Sequence, residues 1–369
     1  MSNKLVALVI TNLAGSGAEK IVLQLFNMFE KNNINTYIFL LEDVVSYNLT
    51  IKEKQKIVNL TKKRNIYKFF SFLGDKFLNR KFEKKLNEIE KKENKKFDLI
   101  LSNSPSSDRV LYFSEGYNIY NVIHNSYQNE INEFHSRGMH KRALKKEKLY
   151  KKIYSDKNLI TVSKKIIDDL NRLELKYKSI CCIYNPFNFE LLKQKSLEKR
   201  DDTYRDNYII NASAYRYTKR HDILLKAYKQ LNIKEKLILL CKPFDGLINL
   251  IKELELEDKV EILGFQKNPY PFIKNAKLLV LSSEREGLPT VLIESLILGT
   301  PVVSTNCISG PSEILTGSLS EYLAEVNNVD DLASKIYKAV NENITIDKKE
   351  LEKFSEDNII KKYLNLIKE

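Results

Sequence analysis

A chain of 369 residues, 43% hydrophobic and 30% charged, is long enough for two domains and apolar enough to bury a core in each. No apolar run approaches the ~20 residues that a bilayer-spanning helix needs, and the opening Met1-Ser2-Asn3-Lys4-Leu5 lacks the shape of a signal peptide. The formal charge of +13, from 61 Lys and Arg against 48 Asp and Glu, leaves three readings: a nucleic-acid partner, an anionic membrane surface, or a compositional bias that implies nothing.

Leu5–Ile10 is an apolar strand that runs into a loop, Thr11 to Glu19, ending G-S-G-A-E. Ile21, Val22, Leu25, Met28 and Phe29 then recur at helical spacing. Strand, glycine loop and helix form a phosphate-binding layout, although a tight turn without ligand reads the same. Tyr37–Leu41 is a second strand. From Thr61 to Lys96 the chain turns helical, basic and aromatic, with 13 Lys and Arg against 5 Asp and Glu. Ile66, Phe70, Leu73 and Phe77 share one face; Phe82, Leu86 and Ile89 share another. A basic amphipathic segment with aromatics suits a lipid headgroup layer, which Phe69, Phe70 and Phe72 favour for the first face. Packing on the sheet is the competing reading, and it is at least as good for the second.

Phe97–Leu101 and Ile119–Ile123 are further strands, ending in Ser102-Asn103-Ser104-Pro105 and His124-Asn125-Ser126. A histidine at a strand's carboxyl end stands where open α/β sheets bind ligands, but a lone histidine is more often a structural hydrogen bonder than a catalyst. Arg137 to Lys152 is a second basic stretch, a helix that either helps hold a phosphate-bearing acceptor or is plain surface. Leu159–Val162, followed by Ser163, completes the first sheet. Ile183 to Phe187 is the crossing between domains, and the charged, weakly patterned Leu191 to Asn207 reads as linker and loop. This divides the chain into domains 1–185 and 186–354, with a final segment, 355–369, that packs back on the first. The cysteines, Cys181, Cys182, Cys241 and Cys307, have no zinc or disulfide spacing and read as reduced and structural, as in the cytoplasm. The four histidines form no H-E-x-x-H, so no metal site is expected.

Tyr208–Ala212 opens the second domain. Arg216, Lys219 and Arg220 lie on the loop after it, before a helix over Ile223–Leu231, and cations at such a place suit a diphosphate. Lys236–Cys241 and Val260–Leu263 are strands, the second leading into Gly264-Phe265. On its own, Phe265 reads as a core residue. The strand Leu278–Leu281 then breaks at Ser282-Ser283-Glu284, and a loop with Glu286, Gly287 and Pro289 precedes a helix over Thr290–Leu298. Gly299 stands where a helix end takes a left-handed residue, and Pro301 to Ser304 starts the next strand. Free amides at the helix start can face an anion, and Glu286 and Glu294 can each accept hydrogen bonds from a vicinal diol. Taken alone, these carboxylates would be a loop charge and a solvated helix residue.

Their surroundings change that weighing. E-G-L-P-T-V-L-I-E-S-L, G-T-P-V-V-S-T and S-G-P-S-E-I-L follow in order from Glu286 to Leu315, and the series closely resembles the donor-binding signature of retaining glycosyltransferase family 4. The resemblance implies an α/β fold of GT-B type, two Rossmann-like doubly wound domains facing across a cleft. It implies that Glu286 contacts donor-sugar hydroxyls and Glu294 the ribose, with Gly287, Leu288, Pro289 and Thr290 completing the donor site. Lys219 matches a diphosphate-gripping lysine. The family's arginine falls on Ala214 in an ungapped match, and Arg216 takes its place only after a short backbone shift. The G-S-G-A-E loop corresponds to a G-G-A-E-type loop, from which Gly17 is carried over as a position where a side chain would obstruct the cleft. His124 corresponds to a histidine at the reaction centre, and Phe265 to a position near the base.

His124, Glu286 and Lys219 are thus the expected catalytic residues. The expected reaction moves a hexose or N-acetylhexosamine from a UDP-sugar, with retention and without a metal or other cofactor. The expected acceptor is a growing surface glycan: lipooligosaccharide, O-antigen or a polyprenyl-linked sugar. The expected place is the cytoplasm, peripheral on the anionic inner face of the membrane, with no nucleic-acid partner. The rivals are a basic membrane- or nucleic-acid-binding protein with an inactive cleft, and a GT-B epimerase or phosphorylase.

Overall fold

The structure, a computed structural model, describes residues 4–15, 17–61, 71–199 and 207–368. Met1 to Asn3, Ser16 of the glycine loop, Ile66, Phe69 and Phe70 of the first basic face, and residues 200–206 of the charged stretch lie outside the described residues. The chain divides into two compact units, Met1–Pro186 with Glu356–Glu369, and Phe187–Ser355.

The first unit is built on β1 (Leu5–Ile10), β2 (Asn35–Leu40), β3 (Ile57–Asn59), β4 (Leu99–Ser102), β5 (Ile119–Ile123), β6 (Asn158–Thr161) and β7 (Ser179–Cys182), all parallel, in the order β3-β2-β1-β4-β5-β6-β7. Every residue of β1, Leu-Val-Ala-Leu-Val-Ile, is buried, as a strand with both sheet faces covered requires. Leu159–Val162 does not complete this sheet, because β7 extends it by one strand. The half-exposed Ser-Ile-Cys-Cys of β7 forms no apolar run, and its pairing along β6 defines it instead.

Ser71–Glu93 is a helix whose second half buries Phe82, Leu86 and Ile89 in a core shared with Phe39 and Phe97. The rings of Phe39 and Phe82 meet edge-on at 5.0 Å. Packing on the sheet therefore accounts for this face. Phe72, Leu73 and Phe77, in the first half, stay 47%, 73% and 47% exposed. The final helix, Glu356–Lys368, packs in the same unit. Tyr363 meets Phe29 edge-on at 5.4 Å, and the Leu366 carbonyl accepts the Asn118 amide at 2.9 Å.

The second unit carries β8 (Tyr208–Asn211), β9 (Lys236–Leu239), β10 (Val260–Ile262), β11 (Leu278–Leu281), β12 (Val302–Thr305) and β13 (Leu323–Ala324), all parallel, in the order β10-β9-β8-β11-β12-β13. The stretch read as linker begins instead as a helix, Phe189–Ser196, capped by the Asn188 side chain and anchored by buried Leu192. In each sheet the strand order reverses once, between β1 and β4 and between β8 and β11. Loops leaving the carboxyl ends of such neighbours part to opposite faces and open a crevice, which is where these sheets bind ligands.

Candidate active site

In the second unit the loops after β8 and β11 lie side by side at that reversal. Their backbones are joined: Glu284 donates its N–H to the Thr218 carbonyl at 2.9 Å, and Ser282 donates its hydroxyl to the Lys219 carbonyl at 2.8 Å. This brings the Lys219 ammonium to 2.5 Å from Oε1 of Glu286, with the side chains 23% and 12% exposed. A cation and a carboxylate thus share one partly desolvated spot.

Beyond Glu286, the chain passes through buried Gly287, Leu288 and Pro289 to Thr290, the first residue of the helix Thr290–Ile297. Pro289 is its N-cap, and no side chain caps the helix. The amides of its first turn therefore keep the partial positive charge that attracts an anion. Glu294 is not a solvated helix residue, since it is 3% exposed. At the far end Gly299 takes the left-handed conformation, with φ 87°.

Two neighbours of this loop escaped the sequence reading. The Ser309 hydroxyl donates to the Glu286 carbonyl, and Gly310, with φ 96°, faces the loop so closely that a Cβ would lie 2.9 Å from the Gly287 carbonyl oxygen. The S-G-P string contained both residues, but nothing local reveals that they brace Glu286. The stacked rings of Tyr215 and Phe244, 5.4 Å apart after β8 and β9, also went unread. They come together only because the two strands are neighbours.

The three cations of the loop after β8 differ in their surroundings. Arg216 is exposed. Arg220 is tied to its neighbours: its guanidinium pairs with both oxygens of Asp222, at 2.9 and 2.8 Å, and lies 3.5 Å from Glu284. Burial holds the pKa of the adjacent His221 down to about 4. Phe265 is not a core residue, being 67% exposed. Burial, and then the charge of Glu286, push the Cys307 thiol far up, so it stays protonated.

In the first unit, the ends of β1, β4 and β5 present neutral polar groups. Thr11 and Ser104 share a hydroxyl contact of 2.8 Å, and His124 Nε2 lies 3.3 Å from Asn103 Oδ1. The Asn103 amide nitrogen donates to the Leu101 carbonyl, which turns Oδ1 toward the ring. That oxygen only accepts, so Nε2 carries the proton and the lone pair of His124 sits on Nδ1. Desolvation lowers the His124 pKa to about 4, leaving it neutral at pH 7.

The glycine loop is less open than its sequence suggests. Glu19, 8% exposed and in the first turn of the helix Gly17–Lys31, accepts the Gly15 N–H at 2.5 Å. This helix start thus supplies its own anion. Among the described residues, a Cβ on Gly17 would meet no atom within 4 Å. Among the described residues, no three His, Cys, Asp or Glu side chains gather as a metal ion would need, and no helix is long and apolar enough to cross a membrane.

Residues 193–359 match the family described as Glycosyl transferases group 1. The matched stretch contains Lys219, Glu286, Glu294 and the Ser309-Gly310 brace. Over 173 residues the chain is 35% identical to the N-acetylgalactosamine-N,N'-diacetylbacillosaminyl-diphospho-undecaprenol 4-alpha-N-acetylgalactosaminyltransferase of Campylobacter jejuni, covering 46% of this chain and 47% of that one. It thus spans about half the length of that curated relative. Two solved structures show the whole fold. A glycosyltransferase from Rickettsia africae matches with a TM-score of 0.75 at 18% identity, over 100% of this chain and 98% of its own. Anabaena HepE, in complex with UDP and glucose, matches with a TM-score of 0.76 at 17% identity, over 99% of each chain. The architecture is therefore GT-B.

Proposed function

We propose that this protein is a retaining glycosyltransferase of family 4 type, moving a hexose or N-acetylhexosamine from a UDP-sugar to a hydroxyl of a growing surface glycan. The acceptor is lipooligosaccharide, O-antigen or a polyprenyl-linked sugar, met from the cytoplasmic side by a protein peripheral to the inner membrane. The observation that carries the reading is the Lys219–Glu286 contact beside an uncapped helix start. A sugar nucleotide presents both a diphosphate and vicinal hydroxyls, and this spot offers a partner to each. The UDP bound to HepE and the diphospho-undecaprenol acceptor named for the Campylobacter relative support the same classes of donor and acceptor.

In this reading the incoming diphosphate draws Lys219 away from Glu286, and the freed carboxylate accepts hydrogen bonds from the sugar. Lys219, exposed Arg216 and the first-turn amides stabilise charge as the bond from the anomeric carbon to phosphate breaks. The acceptor oxygen bonds to that carbon on the face the leaving group vacates, and its proton passes to the departing phosphate. Buried Glu294 takes the ribose, and exposed Phe265 lies near the base. Neutral His124 offers Nδ1 to a sugar hydroxyl. No metal or other cofactor takes part.

A thermal-shift screen with UDP-glucose, UDP-galactose and their N-acetyl forms tests this, followed by product analysis with the responding donor in labelled form. The expected outcome is one stabilising donor and label on a glycan acceptor in the donor's anomeric configuration. Silence toward every UDP-sugar, or an epimerised or phosphorolysed sugar as product, refutes it.

A further inference from the structure

The helix His140–Tyr154 buries Ala143, Tyr150, Ile153 and Tyr154. On its opposite side Lys141, Lys145, Lys148 and Lys152 recur at i, i+4, i+7 and i+11, all exposed, with Leu144 beside them at 51% exposure. The lysines off this stripe, Lys146 and Lys151, have carboxylate partners in Glu130 and Glu147. Among the described residues no carboxylate pairs with the four on it. Like charges at this spacing repel, so the stripe opposes its own helix unless something anionic lies against it.

Lys152 joins the stripe to a second element, its ammonium lying 3.6 Å from the ring centre of Phe72. From there the exposed Phe72, Leu73, Lys76, Phe77 and Arg80 follow along the helix Ser71–Glu93. Between the two helices is a cavity of about 640 Å³, but Glu83, Glu115 and Asp156 line it with its four cations. The cavity's cations, Lys152 among them, stand with carboxylates, whereas Lys141, Lys145 and Lys148 of the stripe do not line it.

We propose that this face of the first unit docks on an anionic bilayer, with the lysines among the lipid phosphates and Phe72, Leu73, Phe77 and Leu144 at the acyl boundary. A nucleic acid would engage the lysines but leave Leu73 and Leu144 in water. The inference deepens the peripheral-membrane part of the functional reading and rests on that part alone.

Flotation of the full chain with phosphatidylcholine vesicles, with and without phosphatidylglycerol, tests it. The protein floats only with phosphatidylglycerol present and is released as salt rises. The double variant K145E/K148E binds at least about tenfold more weakly, since each basic residue near an anionic surface contributes about a factor of five. The variant L73S/F77S loses retention at about 0.15 M salt, where screening has weakened the charge contribution. Indifference to phosphatidylglycerol, unchanged flotation of K145E/K148E, or tighter retention on single-stranded DNA than on vesicles overturns the proposal. The response to UDP-sugars is read in parallel. A protein that responds to donor without floating sinks only the docking face, and one that floats without responding leaves that face standing and sinks the transfer reading.

Discussion

Gly310 packs against Pro289 so tightly that a Cβ on the glycine would lie 2.4 Å from the proline Cδ. The loop after β12 thereby holds the loop after β11, and Ser309 fastens it to the Glu286 carbonyl. The backbone that carries the key carboxylate is thus braced by contacts that contain no charge.

Gly310→Ala meets both a steric block and a positive φ. It is expected to destabilise the protein by about 1–3 kcal/mol and to weaken donor binding. Gly17→Ala, which fills open space, serves as control at within about 0.5 kcal/mol. Denaturant melts of the two variants check this, and equal midpoints would show that the brace does not matter.

Lys219→Met and Glu286→Gln remove the two halves of the contact from a partly open site. Each is expected to lower kcat by about 100-fold or more, the scale of losing one group that stabilises developing charge. Each also leaves the other group without its charged partner in a partly desolvated spot, so a stability loss of about 1–3 kcal/mol is expected beside the loss of turnover. Turnover that survives either change removes Lys219 and Glu286 from the mechanism.

His221 is 2% exposed, and its pKa falls from 6.5 to about 4 on folding. The unfolded chain takes up the proton first, so stability is intact above about pH 6.5 and is lost as pH falls toward about 4, by up to about 1.4 kcal/mol per pH unit. Buried Asp108 acts oppositely: its pKa is raised to about 7 by desolvation, and its contribution is lost as pH rises through that value. The comparison that isolates the histidine is parent against His221→Phe, with melts from pH 7 to pH 4. The gap between the two curves should change in favour of the variant as pH falls. A constant gap means that His221 titrates normally.

Phe82→Ala empties a fully buried position against Phe39 and should cost about 3–5 kcal/mol. Phe77→Ala, on the same helix but 47% exposed, should cost about 1 kcal/mol or less. Urea midpoints decide it. Similar losses for both would mean that the first half of this helix is also packed.

The legible parts of the fold are those whose signal is local. Leu5–Ile10 and Leu278–Leu281 have the bounds that their apolar runs suggest, because a central parallel strand with both faces covered favours apolar residues throughout. The short edge strands β3, β7 and β13 carry no such run, since one side of an edge strand has no neighbour to exclude water. The helix Ser71–Glu93 shows the same limit: its two apolar faces read alike in sequence, yet one is core and the other is surface.

By itself, the sequence determined two α/β units and the loops on which the polar residues of the candidate site stand, because periodicity and loop residues are properties of neighbours along the chain. Only the tertiary structure decided which charges meet. Lys219 is held by Glu286, 67 positions away, and Arg220 lies 3.5 Å from Glu284 of the same neighbouring loop. Pairings of this kind depend on which loops the parallel crossovers set side by side, and a side chain's own sequence surroundings do not encode that.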